Sequence, residues 1–125
     1  MRYLTLCCVA LVVAACSLFG SQGPYIVYFP ERSAQLDSDA RSLIALAAQR
    51  ANNEPAAPVT VVGYTDSAGS PPADVALSQQ RAQTVADALV ADGVAANRVV
   101  RTGRGQTGDN PGIASRRVEI TLGGG

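Results

Sequence analysis

Histidine and lysine are both absent from the 125 residues, and all ten cationic side chains are arginine. The lack of histidine removes the commonest metal ligand and the commonest general base. Cysteine occurs only at Cys7, Cys8 and Cys16, so no disulfide can brace anything beyond the first sixteen residues. The ten arginines face ten acidic residues, for a formal charge of zero. No basic run or aromatic-basic interleaving occurs, which excludes an electrostatic binder of nucleic acid. Aromatic residues make up 5% of the chain, so an apolar content of 47% rests largely on alanine and valine and predicts a core of small side chains. Gly103-Arg104-Gly105 is too short for a nucleotide-binding fingerprint. No metal or cofactor is expected, and the length suits one domain.

The amino-terminal end reads as an address. Residues 1–15 have a single charge at Arg2, then an apolar run from Leu6 to Ala15. That run is well short of the ~18 residues needed to cross a bilayer, and suits a signal peptide. Val13-Ala14-Ala15-Cys16 closely resembles a bacterial lipobox, in which the cysteine is lipidated and becomes the first mature residue. An ordinary secretory signal and an uncleaved anchor are the alternatives, the second disfavoured by length. Ser17 stands where an inner-membrane retention signal usually places aspartate, so the resemblance implies anchoring on the periplasmic face of the outer membrane. Residues 16–24 then form the lipidated cysteine and a linker whose eight residues after Cys16 reach at most ~29 Å, holding the domain close under the membrane.

Residues 25–122 carry the pattern of one folded domain. Tyr25 to Phe29 is aromatic and β-branched and ends at Pro30, which predicts a strand. Asp37-Ser38-Asp39 offers a helix start, followed by Ala40, Leu43, Ile44, Ala47 and Ala48 at helical spacing, with a stop near Asn52. Val59 to Val62 reads as a strand closed by Gly63, and Tyr64 to Pro72 as a loop. Asp74 is the expected cap of a second helix with a stripe of Val75, Ala82, Val85, Ala86 and Leu89, ended by Gly93. Arg98 to Thr102 predicts a short strand, Gly103 to Gly112 a glycine-rich loop, and Arg117 to Leu122 a strand with Val118, Ile120 and Leu122 on one face. The order is βαβαββ: an α+β sandwich of one sheet with two helices on a single face.

Enzyme chemistry has little to stand on. Asp66 and Asp74 are the nearest thing to a carboxylate pair for sugar hydrolysis, but a loop fixes no distance between them. More informative is the run Gly63-Tyr-Thr65-Asp66-Ser-Ala-Gly69, then Asp74, then Leu77-Ser78-Gln-Gln-Arg81-Ala82. Together with Tyr28-Phe29, Gly93-Val94, Gly103-Arg-Gly105 and Arg116-Arg117-Val118-Glu119-Ile120, it resembles the signature of the OmpA-like peptidoglycan-binding domains over nearly the whole mature chain. The resemblance implies non-catalytic, non-covalent binding of peptidoglycan through meso-diaminopimelate in the stem peptide, tethering the outer membrane to the wall.

The end of meso-diaminopimelate is a zwitterion, an ammonium and a carboxylate on one carbon. By the resemblance, Asp66 would accept from the ammonium and Arg81 would grip the carboxylate through two parallel hydrogen bonds. Thr65 would shape the pocket, Asp74 would cap the helix and hold the loop, and Arg116 matches the first arginine of the family's closing motif. Ser115 stands where that motif has asparagine, and the loop from Gln106 to Ser115 is shorter than is common in the family. Neither Asp66 nor Arg81 belongs to an apolar stripe, so both alanine variants are expected to remain folded. A protein–protein adaptor in an envelope complex, and a peptidoglycan hydrolase, are the rival functions.

Overall fold

In the computed structural model, residues 23–66, 69–108 and 112–123 are described. The expected signal peptide, Cys16 and most of the expected linker lie outside them. The elements run β1 (Tyr25–Tyr28), α1 (Ser38–Asn52), β2 (Val59–Thr65), α2 (Pro71–Ala91), β3 (Val99–Gln106) and β4 (Arg117–Leu122), in the βαβαββ order. The sheet order is β1-β4-β2-β3. β4 pairs antiparallel with β1 and β2, while β2 and β3 are parallel. A last strand inserted between the first and second leaves Val27, Val118, Ile120, Val59 and Val61 on one face, under both helices.

The core is built as the composition suggests. Six alanines and six valines are among the sixteen buried apolar residues of the described segments, so the helices can lie close to the sheet. α1 contributes Ala40, Ile44, Ala47, Ala48 and Ala51, and α2 contributes Ala82, Val85, Ala86 and Leu89. Val75, expected in that stripe, is 38% exposed. Asp37 caps α1 by accepting from the Ala40 amide at 2.7 Å. Gly93 closes α2 with φ of +107°, while the amide of Val94 reaches back to the carbonyl of Leu89, as left-handed glycine caps do.

Three boundaries differ from the sequence reading, the first through a local cap and the other two because a tertiary contact overrides a local signal. Helix α2 starts at Pro71 rather than after Asp74, with Ser70 as its cap. Pro71 and Pro72 fill first-turn positions where no amide hydrogen is needed. Strand β2 runs through Gly63 to Thr65, and β3 continues through Gly103 and Gly105 to Gln106. These glycines do not mark loops; they admit the helix. A Cβ on Gly63 would sit 2.1 Å from the Ser78 carbonyl oxygen, and one on Gly103 would sit 2.4 Å from the Gln79 amide nitrogen. Arg98 precedes β3 in a 3-10 turn, Ala96–Arg98, and donates to the carbonyls of Ala51, Glu54 and Ala57, closing the α1–β2 connection.

Gly63→Ala therefore forces a methyl group against the backbone of α2. It is expected to cost about 2–3 kcal/mol, read as a fall in Tm of about 10–20 °C by circular dichroism. An unchanged Tm would mean that α2 is not seated on β2 in this way.

Candidate functional site

Helix α2 follows the exit of β2, so its second turn onward lies over the strand it has just left. The segment after β1 (residues 29–33) and the entry to β4 converge on the same end of the sheet. Four of the expected residues meet there: Thr65 and Asp66 from β2 and its exit, Arg81 from α2, and Arg116 just before β4.

Arg81 is the most deeply placed. It is fully buried, and its guanidinium donates to three backbone carbonyls: Nε to Ser33 at 2.8 Å, Nη1 to Tyr64 at 3.1 Å and Nη2 to Pro30 at 3.0 Å. Its Cζ lies 5.4 Å from the centroid of the Phe29 ring. Burial lowers its pKa, the carboxylate of Asp66 raises it, and the positive charge of Arg116 lowers it again. Asp66 and Arg116 are therefore its electrostatic neighbours. The expectation that Arg81 is dispensable for folding is corrected here. It lies on the buried stripe of α2, and it ties the segment after β1 to the end of β2.

Asp66 sits above it, with its side chain 12% exposed. Its Oδ2 accepts from Nη1 of Arg116 at 3.2 Å, and the Arg116 side chain is 18% exposed. Nε of Arg116 donates to the carbonyl of Phe29 at 3.1 Å, which fixes the base of that guanidinium. Thr65 is fully buried, and its hydroxyl has no hydrogen-bond partner among the described residues.

Asp74 is not the helix cap. It is buried in the first turn of α2 and accepts a short hydrogen bond from the Gln106 side chain at the end of β3. Its support runs from helix to sheet instead of along its own helix. Ser78, one turn further on, donates to the Val75 carbonyl and accepts from the Gly105 amide, a second such tie. Ser115 is buried and accepts from the Thr107 hydroxyl at 2.8 Å. Cys16 lies outside the described residues.

The carbonyl cradle of Pro30, Ser33 and Tyr64 had no sequence signal of its own, because backbone groups carry none. The burial of Arg81 did have one: Asp74, Ser78, Arg81, Val85 and Leu89 recur at helical spacing, all buried. Among the described residues, no group of three or more histidine, cysteine, aspartate or glutamate side chains could hold a metal ion. None of the described helices is long and apolar enough to cross a membrane. The arrangement offers an anionic group and two cationic ones at one end of the sheet, chemistry suited to binding a small zwitterion.

The sequence profile of the OmpA family matches residues 28–118. The "Probable lipoprotein YiaD" of Escherichia coli is 40% identical over 109 residues, spanning 79% of this chain and 48% of that protein. The "Peptidoglycan-binding protein ArfA" of Mycobacterium tuberculosis is 46% identical over 78 residues, 54% of this chain and 23% of that protein. This chain thus spans less than half the length of either relative. The crystal structure of the peptidoglycan-associated lipoprotein from Burkholderia pseudomallei superposes with a TM-score of 0.72 at 26% identity, covering 78% of this chain and 89% of that one.

Proposed function

Because the chain belongs to the OmpA family, we propose that it binds peptidoglycan non-covalently, through the meso-diaminopimelate of the stem peptide, as a lipid-anchored module that tethers the outer membrane to the wall. The observation that carries this reading is the gathering of Asp66, Arg81 and Arg116 at one end of the sheet. The ligand's ammonium is met by Asp66, and its carboxylate is drawn to the two arginines. Charge-assisted hydrogen bonds of this kind contribute about 1.5–3 kcal/mol each. Asp74 acts from behind by holding the first turn of α2 to β3. No step of catalysis is assigned to any of these residues.

A pull-down tests the reading. The purified chain should sediment with isolated sacculi, and a stem peptide ending in meso-diaminopimelate should release it. Failure to sediment, with capture of an envelope protein instead, would favour the adaptor. Release of soluble fragments from the sacculi would favour the hydrolase.

The tether is part of the proposal. Cys16 is expected to be acylated and to be the first mature residue, which places the domain at the periplasmic face of the outer membrane. Several acyl chains give stable anchoring, each buried methylene contributing about 0.8 kcal/mol. Mass spectrometry of the native protein should find a lipid-modified amino terminus at Cys16. An unmodified soluble chain in the periplasm would contradict it.

A further inference from the structure

Strand alternation turns the chain neighbours of the site residues to the other side of the sheet. Tyr28 precedes Phe29, Tyr64 precedes Thr65, Arg117 follows Arg116 and Arg104 precedes Gly105. Val27, Val118, Gly63 and Gly105 face the helices, so these four neighbours face away from them. Tyr28 pairs with Arg117 across β1 and β4, and Gly63 pairs with Val118 across β2 and β4, which puts Tyr64 beside Arg117. The result is a row of Tyr28, Arg117, Tyr64 and Arg104 across all four strands. At the ordinary strand spacing it is roughly 14 Å long. Arg117 is held in place within it. Its Cζ stands 4.4 Å from the centroid of the Tyr64 ring, Nε donates to Glu119 at 3.1 Å, and Nη1 donates to the Ala114 carbonyl at 2.7 Å. Nη1 of Arg104 donates to the Tyr64 hydroxyl at 3.5 Å. Tyr28 is 47% exposed, and Arg104 is exposed as well. The site at the end of the sheet uses none of these side chains.

We propose that this row is a second binding site, which holds the glycan backbone of the wall, a polymer of N-acetylated amino sugars, while the stem peptide occupies the end of the sheet. This rests on the reading of the sheet end as a stem-peptide site. Continuity between the two selects the occupant. Two stem residues separate diaminopimelate from the sugar, and fully extended they reach at most roughly 7 Å. The sugar of a bound stem peptide therefore stays beside the strand ends that carry the row. The chemistry of the row suits it. A tyrosine offers an apolar ring face to the C–H face of a pyranose and a hydroxyl at its tip. A guanidinium donates to hydroxyl and acetamido oxygens, so a neutral ligand is enough. Arg117, braced by Glu119 and Ala114, presents its remaining N–H groups in a fixed plane. Sugar contacts of this kind are weak alone. Covalent attachment to a stem peptide already in place makes them intramolecular, and they then add to the affinity for the polymer.

Calorimetric titration of the full chain in detergent tests this with two probes: a stem tripeptide ending in meso-diaminopimelate, and the same tripeptide carrying its disaccharide. The wild type should bind the second about 10-fold more tightly. Tyr28→Ala combined with Arg104→Gln should bring the two probes within about 2-fold of each other, with the free tripeptide bound as by the wild type. Arg104→Gln alone, at an exposed position, should lose part of the gain, and it carries the test if the double variant does not fold. A disaccharide that adds nothing in the wild type, or a gain that survives in the folded variants, would overturn the glycan row and leave the stem-peptide site intact. Row variants that keep the gain but no longer capture an envelope protein would overturn it in favour of a protein partner. Binding of neither probe by the wild type would overturn the stem-peptide reading, and the glycan row with it.

Discussion

Arg81→Ala is expected to lower the Tm of the chain by about 12–24 °C. The fold, more than the ligand, loses its partner. The carbonyls of Pro30, Ser33 and Tyr64 come from two separate stretches of chain, and one guanidinium pairs all three. Leaving a buried acceptor unpaired costs about 1–3 kcal/mol, so a net loss on the order of 3 kcal/mol is the conservative figure once water has entered the space vacated. The removed side chain also packs against the Phe29 ring, adding a loss of contact to the loss of hydrogen bonds. Arg81→Lys keeps the charge but cannot address three diverging carbonyls with a planar fork, so its Tm should fall between the two. Thermal unfolding followed by circular dichroism checks both variants. An Arg81→Ala protein that melts at the wild-type temperature would mean the cradle is not holding the segment after β1.

Asp66→Ala is expected to remove binding to sacculi almost entirely while leaving the melting temperature close to that of the wild type. Its carboxylate contacts Arg116, is partly open to solvent, and has no part in the apolar core. Removing it leaves the ligand's ammonium without an anion at a site whose charged side chains are largely buried. Truncating one partner of a buried charge pair costs about 2–5 kcal/mol, which is roughly 30-fold or more in affinity. Asp66→Asn separates charge from shape, and should lose nearly as much as alanine if the charge is what matters. A folded Asp66→Ala protein that sediments with sacculi as the wild type does would remove Asp66 from the site. The contrast between these two substitutions is itself diagnostic: one should act on stability first, the other on affinity alone.

Much of the fold was legible because its signals are local. The alternation of Val118, Ile120 and Leu122 identifies β4, and Asp37 identifies the start of α1 through its own cap. The boundaries that were misread lie where glycine and proline serve a neighbour rather than their own turn. Gly63, Gly103 and Gly105 are strand residues because α2 lies against them, and no property of the strand alone reveals that. Pro71 and Pro72 begin a helix because Ser70 caps it. At the site, Asp66 and Arg81 stood out through the resemblance to a family signature, and both lie at the same end of the sheet. The burial of Arg81 was legible only in its helical spacing with Val85 and Leu89, and the pairing of Asp66 with Arg116, fifty residues away in the chain, was not legible at all. Hydrogen bonds to backbone carbonyls and contacts across distant segments leave no mark on composition or periodicity.

The central claim is that a zwitterionic stem-peptide head binds where Asp66, Arg81 and Arg116 converge. The most direct measurement is a nuclear magnetic resonance titration of the isotopically labelled chain with a meso-diaminopimelate tripeptide, observing backbone amides together with the arginine Nε–H groups. The account predicts saturable shifts concentrated at residues 29–33, 64–66 and 115–117, with Arg116 Nε–H moving most and the amides of α1 unaffected. Saturable shifts confined to other surfaces of the domain, or none at millimolar peptide, would contradict it.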